Sequence, residues 1–304
     1  MKKAFIKTPI ASLYRKPDSN ISLEDEVLFG MEVEAQEAEN GFFFVKTHYG
    51  YTGYVSKKDL LFCSRRVKKF SEMKDKYKVI KKSFCDILSE PKMQGIRLIT
   101  LPRGSRVALM ETLENNWVRV YLCDGTEGYT RIEHLDDYKT TYDVNDEDLR
   151  DALVKTAESY LGIQYRWGGK TPSGIDCSGL CSMAYMLCGI IIYRDAKLMQ
   201  GYPVKEIPYE QLKRGDLVYS PGHIMMYIGD GKIIHSSSSM CGVSYSSLPE
   251  KDKITACGRI IVVTEPCLLS FRKGIHLFHP ITFRISEISC TTNCAAVSGF
   301  SFLV

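Results

Sequence analysis

The first half of this chain is written twice. Gly30-Met31-Glu32-Val33 leads to Phe43-Phe44-Val45, then to Gly53-Tyr54-Val55 and Leu60. Further on, Gly104-Ser105-Arg106-Val107 leads to Trp117-Val118-Arg119-Val120, then to Gly128-Tyr129-Thr130 and Leu135, and the spacings agree within one residue. Each copy alternates apolar and polar residues in short runs, broken by Gly, Asn and Asp. That period predicts short strands joined by tight turns, and so a small all-β barrel in each copy. A repeat of this length is a duplicated domain rather than a solenoid unit.

Residues 65–78 are polar and basic, with Arg65-Arg66-Val67-Lys68-Lys69 the densest run. The formal charge of +4 is mild, so this stretch reads as a solvated linker and not as a nucleic-acid patch. From Asn145 the period changes. Leu149, Ala152, Leu153, Thr156, Ala157 and Tyr160 share a helical face, with Asn145 as the expected cap and Gly162 just past the end. A second, amphipathic helix is expected from Cys177 to Cys188, burying Leu180, Met183, Ala184 and Leu187, and closed by Gly189. Strands follow at Leu217–Ser220, His223–Ile228, Lys232–Ser236 and Arg259–Val263. A helical half followed by an antiparallel sheet is α+β. Arg214-Gly215-Asp216 reads as a turn into Leu217, not as an adhesion motif.

The chemistry concentrates where Tyr165-Arg166-Trp167-Gly168-Gly169 is followed by Gly174-Ile175-Asp176-Cys177-Ser178-Gly179-Leu180. Asp176 can cap a helix, which leaves Cys177 in its first turn, where free N–H groups favour negative charge. A helix terminus contributes about 0.3–1 kcal/mol, and one pKa unit is about 1.36 kcal/mol. The dipole alone therefore lowers a thiol by less than a unit from ~8.5, and an imidazolium must supply the rest. His223 is the candidate. It opens a strand that Gly229-Asp230-Gly231 reverses into Lys232-Ile233-Ile234-His235. With a three-residue loop, Ile228 faces Lys232 and Met225 faces His235, so His223 and His235 are diagonal neighbours on one face. His235 can then hold the ring of His223 and select its tautomer. The backbone N–H of Cys177 is a natural oxyanion donor, and Tyr165 can add a hydroxyl.

At 304 residues two or three domains are expected. Eleven cysteines is an odd number. Cys63, Cys85, Cys123, Cys181, Cys188 and Cys257 fall in apolar runs, where a reduced thiol behaves as a small hydrophobe. This points to a reducing compartment. Lys7 interrupts the only apolar run near the start, so no secretory signal is read, and no stretch is long enough for a membrane span. A cytoplasmic protein that binds neither membrane nor nucleic acid is the expectation. Residues 265–304 have no clear period. Cys290, Cys294, His276 and His279 are too loosely spaced for a zinc site, so no metal or cofactor is expected. Oligomeric state is not legible.

Residues of about 141–264 resemble the catalytic domain of the NlpC-type (NlpC/p60) cell-wall cysteine peptidases, on the Asp-Cys-Ser-Gly helix start, Gly215-Asp216 before a strand, and the His…Gly-Asp-Gly…His hairpin. The two repeated copies, roughly 1–66 and 74–140, resemble bacterial SH3-like domains. The implied fold class is multidomain: two small all-β SH3-like barrels followed by an α+β papain-like catalytic domain of rearranged strand order, with 265–304 as an extension. The resemblance implies Cys177 as nucleophile, His223 as general base and acid, and His235 as the third polar residue. It places Tyr165 beside the Trp-Gly-Gly turn and Ser178 in the substrate site. The implied reaction is cleavage of the γ-D-glutamyl to diamino-acid bond of murein stem peptides. Tandem SH3-like domains resemble the subgroup that trims peptides with a free N-terminal L-Ala. Arg194-Asp195 then matches the amine-binding acid, with Ala196 where a Ser is frequent, and Glu24 and Tyr51 are the nearest matches in the first barrel. An ammonium in a partly dry pocket requires such carboxylates, since an unpaired buried charge is costly. Recycling of imported peptides is the implied setting. Amidase or acyl-transfer chemistry on the same thiol fold, or a non-catalytic wall-peptide binder, are the alternatives.

Overall fold

In the computed structural model, which describes residues 1–62, 64–142 and 147–261, residues 2–62 and 77–137 each form a seven-stranded antiparallel sheet. Both sheets share one strand order: third, second, sixth, fifth, fourth, first, seventh. A 3-10 turn precedes the last strand of each, Lys57–Asp59 in the first and Ile132–His134 in the second. Register repeats as well. Leu13 pairs with Asp25 in the first sheet, and Ile87 with Ile99 in the second. The alternation that signalled these strands buries Ala11 and Leu13 on one strand and Gly53 and Val55 on another.

The expected linker is instead a helix, Arg65–Glu72, capped by Ser64, whose hydroxyl accepts from the Val67 amide at 3.3 Å. Val67 and Phe70, three residues apart on one face, are buried, while Arg65, Arg66, Lys68 and Lys69 face solvent. Phe70 stacks on Tyr77 at 4.7 Å and meets the edge of Phe5 at 5.4 Å. Two apolar residues in a basic run were enough to anchor it, and the charge had masked them.

The α+β half opens with the helix Glu147–Glu158. Leu149, Leu153, Ala157 and, just beyond, Tyr160 are buried, and Gly162 follows at φ +78°. The expected cap Asn145 lies outside the described residues. The second helix, Cys177–Leu187, departs from its expected amphipathic character: every residue from Cys177 to Tyr185 is buried. It is covered by the first helix on one side and by the strands His223–Gly229 and Lys232–Ser237 on the other. The six-stranded sheet runs Val204–Ile207, Ala256–Ile260, Leu217–Ser220, His223–Gly229, Lys232–Ser237, Gly242–Ser247. The strand placed at Arg259–Val263 therefore sits earlier, and two polar outer strands had no sequence signal. Asp216 is buried in its turn, bonded to Arg150 at 3.1 Å and Arg259 at 2.7 Å.

One apolar core runs from the first barrel (Leu13, Leu28, Met31) through Leu180 and Met183 to Met226 and Ile234. The second barrel also braces the α+β half: Arg103 donates to the Ser159 carbonyl at 3.0 Å and lies over the Tyr160 ring at 4.6 Å. Cys85, Cys123, Cys181, Cys188 and Cys257 are buried free thiols. Cys63, the histidines and cysteines of the 265–304 segment, and that segment itself lie outside the described residues. No helix among the described residues is long and apolar enough to cross a membrane.

Candidate active site

Asp176 caps the Cys177–Leu187 helix, its carboxylate accepting from the Gly179 amide at 2.5 Å. Cys177 thus occupies the first helical position and is 7% exposed. The backbone N–H groups of Ser178 and Ile224 lie near enough to favour its thiolate form. Ile224 directly follows His223, so the thiol sits against the start of the strand that carries the imidazole. Burial first, and the Asp176 charge second, push the thiol up from its ordinary value.

The hairpin register matches the expectation away from the turn. Met226 pairs with Ile234 and Tyr227 with Ile233, while a bulge at the turn sets Gly229 opposite Lys232. Nε2 of His223 lies 2.8 Å from Nδ1 of His235, and Nε2 of His235 lies 3.0 Å from the Ser246 hydroxyl. Burial lowers His223, and burial together with the His223 charge lowers His235 to about 4. Burial thus works against the expected imidazolium–thiolate pair from both sides, raising the thiol and lowering the imidazole. If His223 donates from Nε2 to His235, and His235 from Nε2 to Ser246, then Nδ1 of His223 is left as a free base. Ser246 had no motif to reveal it; its polar edge strand enters the site only through pairing with Lys232–Ser237.

Tyr165 bridges to Ile175 in parallel pairing beside the nucleophile. Burial, then the nearby Cys177 and Asp176, raise its phenol, so it remains a neutral donor. Ser178 is buried, donating to Asp176 at 3.2 Å and accepting from Arg194 at 2.7 Å. Tyr51 of the first barrel donates to Asp195 at 2.9 Å, joining two residues 144 apart in sequence. Glu24 is not joined to them. It is engaged by Arg15 at 3.2 Å and, with Arg15, Lys16, Ile21, Ser22 and the exposed Trp167, lines a shallow groove. The barrel carboxylate that meets the 194–195 segment is its neighbour Asp25, which accepts from Arg194 at 2.6 Å.

A buried thiol at the start of a helix packed against an antiparallel sheet, with a hydrogen-bonded histidine pair on the strands that cover it, carries the parts of a papain-like thiol hydrolase. Residues 162–256 match the NlpC/P60 family, and residues 13–60 match the bacterial dipeptidyl-peptidase Sh3 domain. The chain is 39% identical over 252 residues to dipeptidyl-peptidase 6 of Lysinibacillus sphaericus, covering 82% of this chain and 92% of that one. It is 27% identical over 230 residues to gamma-D-glutamyl-L-lysine dipeptidyl-peptidase of Bacillus cereus, covering 70% of this chain and 67% of that protein. A crystal structure of an NlpC/P60 family protein from Bacillus cereus superposes with a TM-score of 0.72 at 23% identity, covering 85% of this chain and 99% of that one, and shares the fold. The chain belongs to the NlpC/P60 family of cysteine peptidases, with an SH3-like region ahead of the catalytic domain.

Proposed function

We propose that this protein hydrolyses the γ-D-glutamyl–L-diamino acid bond of murein stem peptides that carry a free N-terminal L-Ala. Cys177 attacks the γ-carbonyl carbon while its proton passes to Nδ1 of His223. The resulting oxyanion accepts from the Cys177 backbone N–H and the Tyr165 hydroxyl. His223 then gives the proton to the leaving diamino acid amine, and a water, deprotonated by the same ring, cleaves the thioester. L-Ala-γ-D-Glu is released and the thiol restored. The relatives named dipeptidyl-peptidase 6 and gamma-D-glutamyl-L-lysine dipeptidyl-peptidase support this bond class.

The observation that carries the free-amine requirement is the Tyr51–Asp195 hydrogen bond of 2.9 Å. A barrel hydroxyl fixes a half-buried carboxylate at the seam between barrel and catalytic half, beside the Arg194 that reaches Ser178. A carboxylate so held is matched by an ammonium and left unmatched by an amide. Peptides still linked through L-Ala to the glycan are excluded, which fits soluble, imported fragments and a cytoplasmic setting. The buried free thiols suit that reducing compartment.

The test compares L-Ala-γ-D-Glu-L-Lys with its N-acetylated form. The free-amine peptide is cut and the acetylated one is not. Equal rates would remove the amine pocket, and release of intact Ala from a cut at its own peptide bond would remove the bond assignment.

A further inference from the structure

Arg194 is 2% exposed and lies between the first barrel and the nucleophile helix. Its Nε donates to Asp25 at 2.6 Å. Its two terminal nitrogens donate to both oxygens of Asp176, each at 3.1 Å, and one also reaches Ser178 at 2.7 Å. Asp176 in turn accepts from the Gly179 amide and, at 2.8 Å, from the Gly168 amide. It therefore fixes the helix start and the Trp-Gly-Gly turn together. We propose that Asp25 of the first SH3-like barrel is a positioning residue for Cys177, acting through Arg194 and Asp176. This rests on the reading of Cys177 as nucleophile given above.

The guanidinium is a rigid fork, and its donors cannot be aimed independently. Asp25 is the acceptor for Nε. Without it that N–H is left unpaired in a dry site, and any rotation that recovers a partner breaks the two-point grip on Asp176. The device belongs to the first barrel alone. At the same register the second barrel has Ile99, paired with Ile87 as Asp25 is with Leu13. The duplicated sheet needs no acid there, so the sheet's own architecture does not account for Asp25.

Asp25 has a second cationic partner, Lys170, which is fully buried and 2.9 Å away. The single substitution Asp25→Asn leaves Lys170 without its counter-ion and endangers folding. The informative variant is therefore Asp25→Leu combined with Lys170→Met, which removes both charges of the buried pair, leaves no orphaned ion, and takes away the acceptor for Arg194 Nε that Asn would retain. Two readouts are taken on the full chain: turnover of L-Ala-γ-D-Glu-L-Lys, and the rate at which iodoacetamide alkylates Cys177, followed by mass spectrometry with the buried Cys181 as internal reporter of folding. The double variant is expected to keep Cys181 protected, to lose about 10²-fold in kcat with KM little changed, and to alkylate Cys177 about fivefold more slowly, the size of a lost helix-cap contribution. Wild-type kcat and wild-type alkylation in that variant would overturn the proposal and leave Asp25 as the counter-ion of Lys170 alone. Alkylation needs no substrate. A wild-type protein that cuts no murein peptide would contradict the proposed function, and the alkylation rates would still decide the role of Asp25.

Discussion

Nε2 of His223 lies 2.8 Å from Nδ1 of His235, and His235 passes the chain on to Ser246 at 3.0 Å. In the proposed mechanism Nδ1 of His235 accepts a hydrogen bond from the Nε2–H of His223 and so favours the tautomer in which Nδ1 of His223 is the free base. His235→Ala should lower kcat about 10²-fold or more with KM nearly unchanged, within the range of general acid–base contributions. Ser246→Ala removes only the far end of the chain and should cost less than tenfold, about one neutral hydrogen bond. Steady-state kinetics on purified variants separates the two. A Ser246→Ala loss as large as that of His235→Ala would contradict the relay order.

The same burial sets a pH dependence of stability. His235 is held down to about 4 from an ordinary 6.5, by burial first and by His223 second. Between those two values the unfolded chain binds a proton at His235 that the folded protein does not. Stability therefore rises with pH across that window and is lost as pH falls through it. His223, also lowered by burial, acts in the same direction. Thermal unfolding should show a Tm that drops from pH 7 to pH 5, and His235→Asn should flatten the slope. An unchanged slope in that variant would refute the assignment.

Gly179 stands where a Cβ would lie 2.2 Å from the carbonyl oxygen of Gly169, a backbone atom that cannot give way cheaply. The glycine lets the nucleophile helix approach the Trp-Gly-Gly turn. Gly179→Ala should destabilise the protein by about 1–3 kcal/mol, as overpacking does, and lower kcat by moving Cys177. Chemical denaturation and turnover, measured together, check both effects.

Asp195 is predicted to select substrates by their amine. Asp195→Asn should raise KM for the free-amine peptide about 10- to 100-fold, the worth of a charge-assisted hydrogen bond, and leave the poor N-acetylated substrate unchanged. Tyr51→Phe releases the carboxylate without neutralising it and should give a smaller rise. Equal KM values for wild type and Asp195→Asn would place amine recognition elsewhere.

What was legible in the sequence was whatever its local period or spacing determined. The barrel repeat followed from alternation, and Cys177 at a helix start from Asp176 beside it. The His223–His235 diagonal came from a hairpin whose turn residues fix the register to within the bulge at Gly229. What escaped was set by distance along the chain. Asp25 and Arg194 are 169 residues apart, and Glu24, one residue away, carried the better motif match while its side chain turned to Arg15. The helix at Arg65–Glu72 escaped because its charge outweighed Val67 and Phe70. The burial of the nucleophile helix on all sides reflects two layers and a barrel converging on it, which no single-helix pattern encodes.

The most direct measurement is mass spectrometry of L-Ala-γ-D-Glu-L-Lys incubated with wild type and with Cys177→Ala. Wild type should yield L-Ala-γ-D-Glu and free Lys, and the folded variant should yield neither. Turnover by Cys177→Ala, or an intact tripeptide after incubation with wild type, would contradict the account.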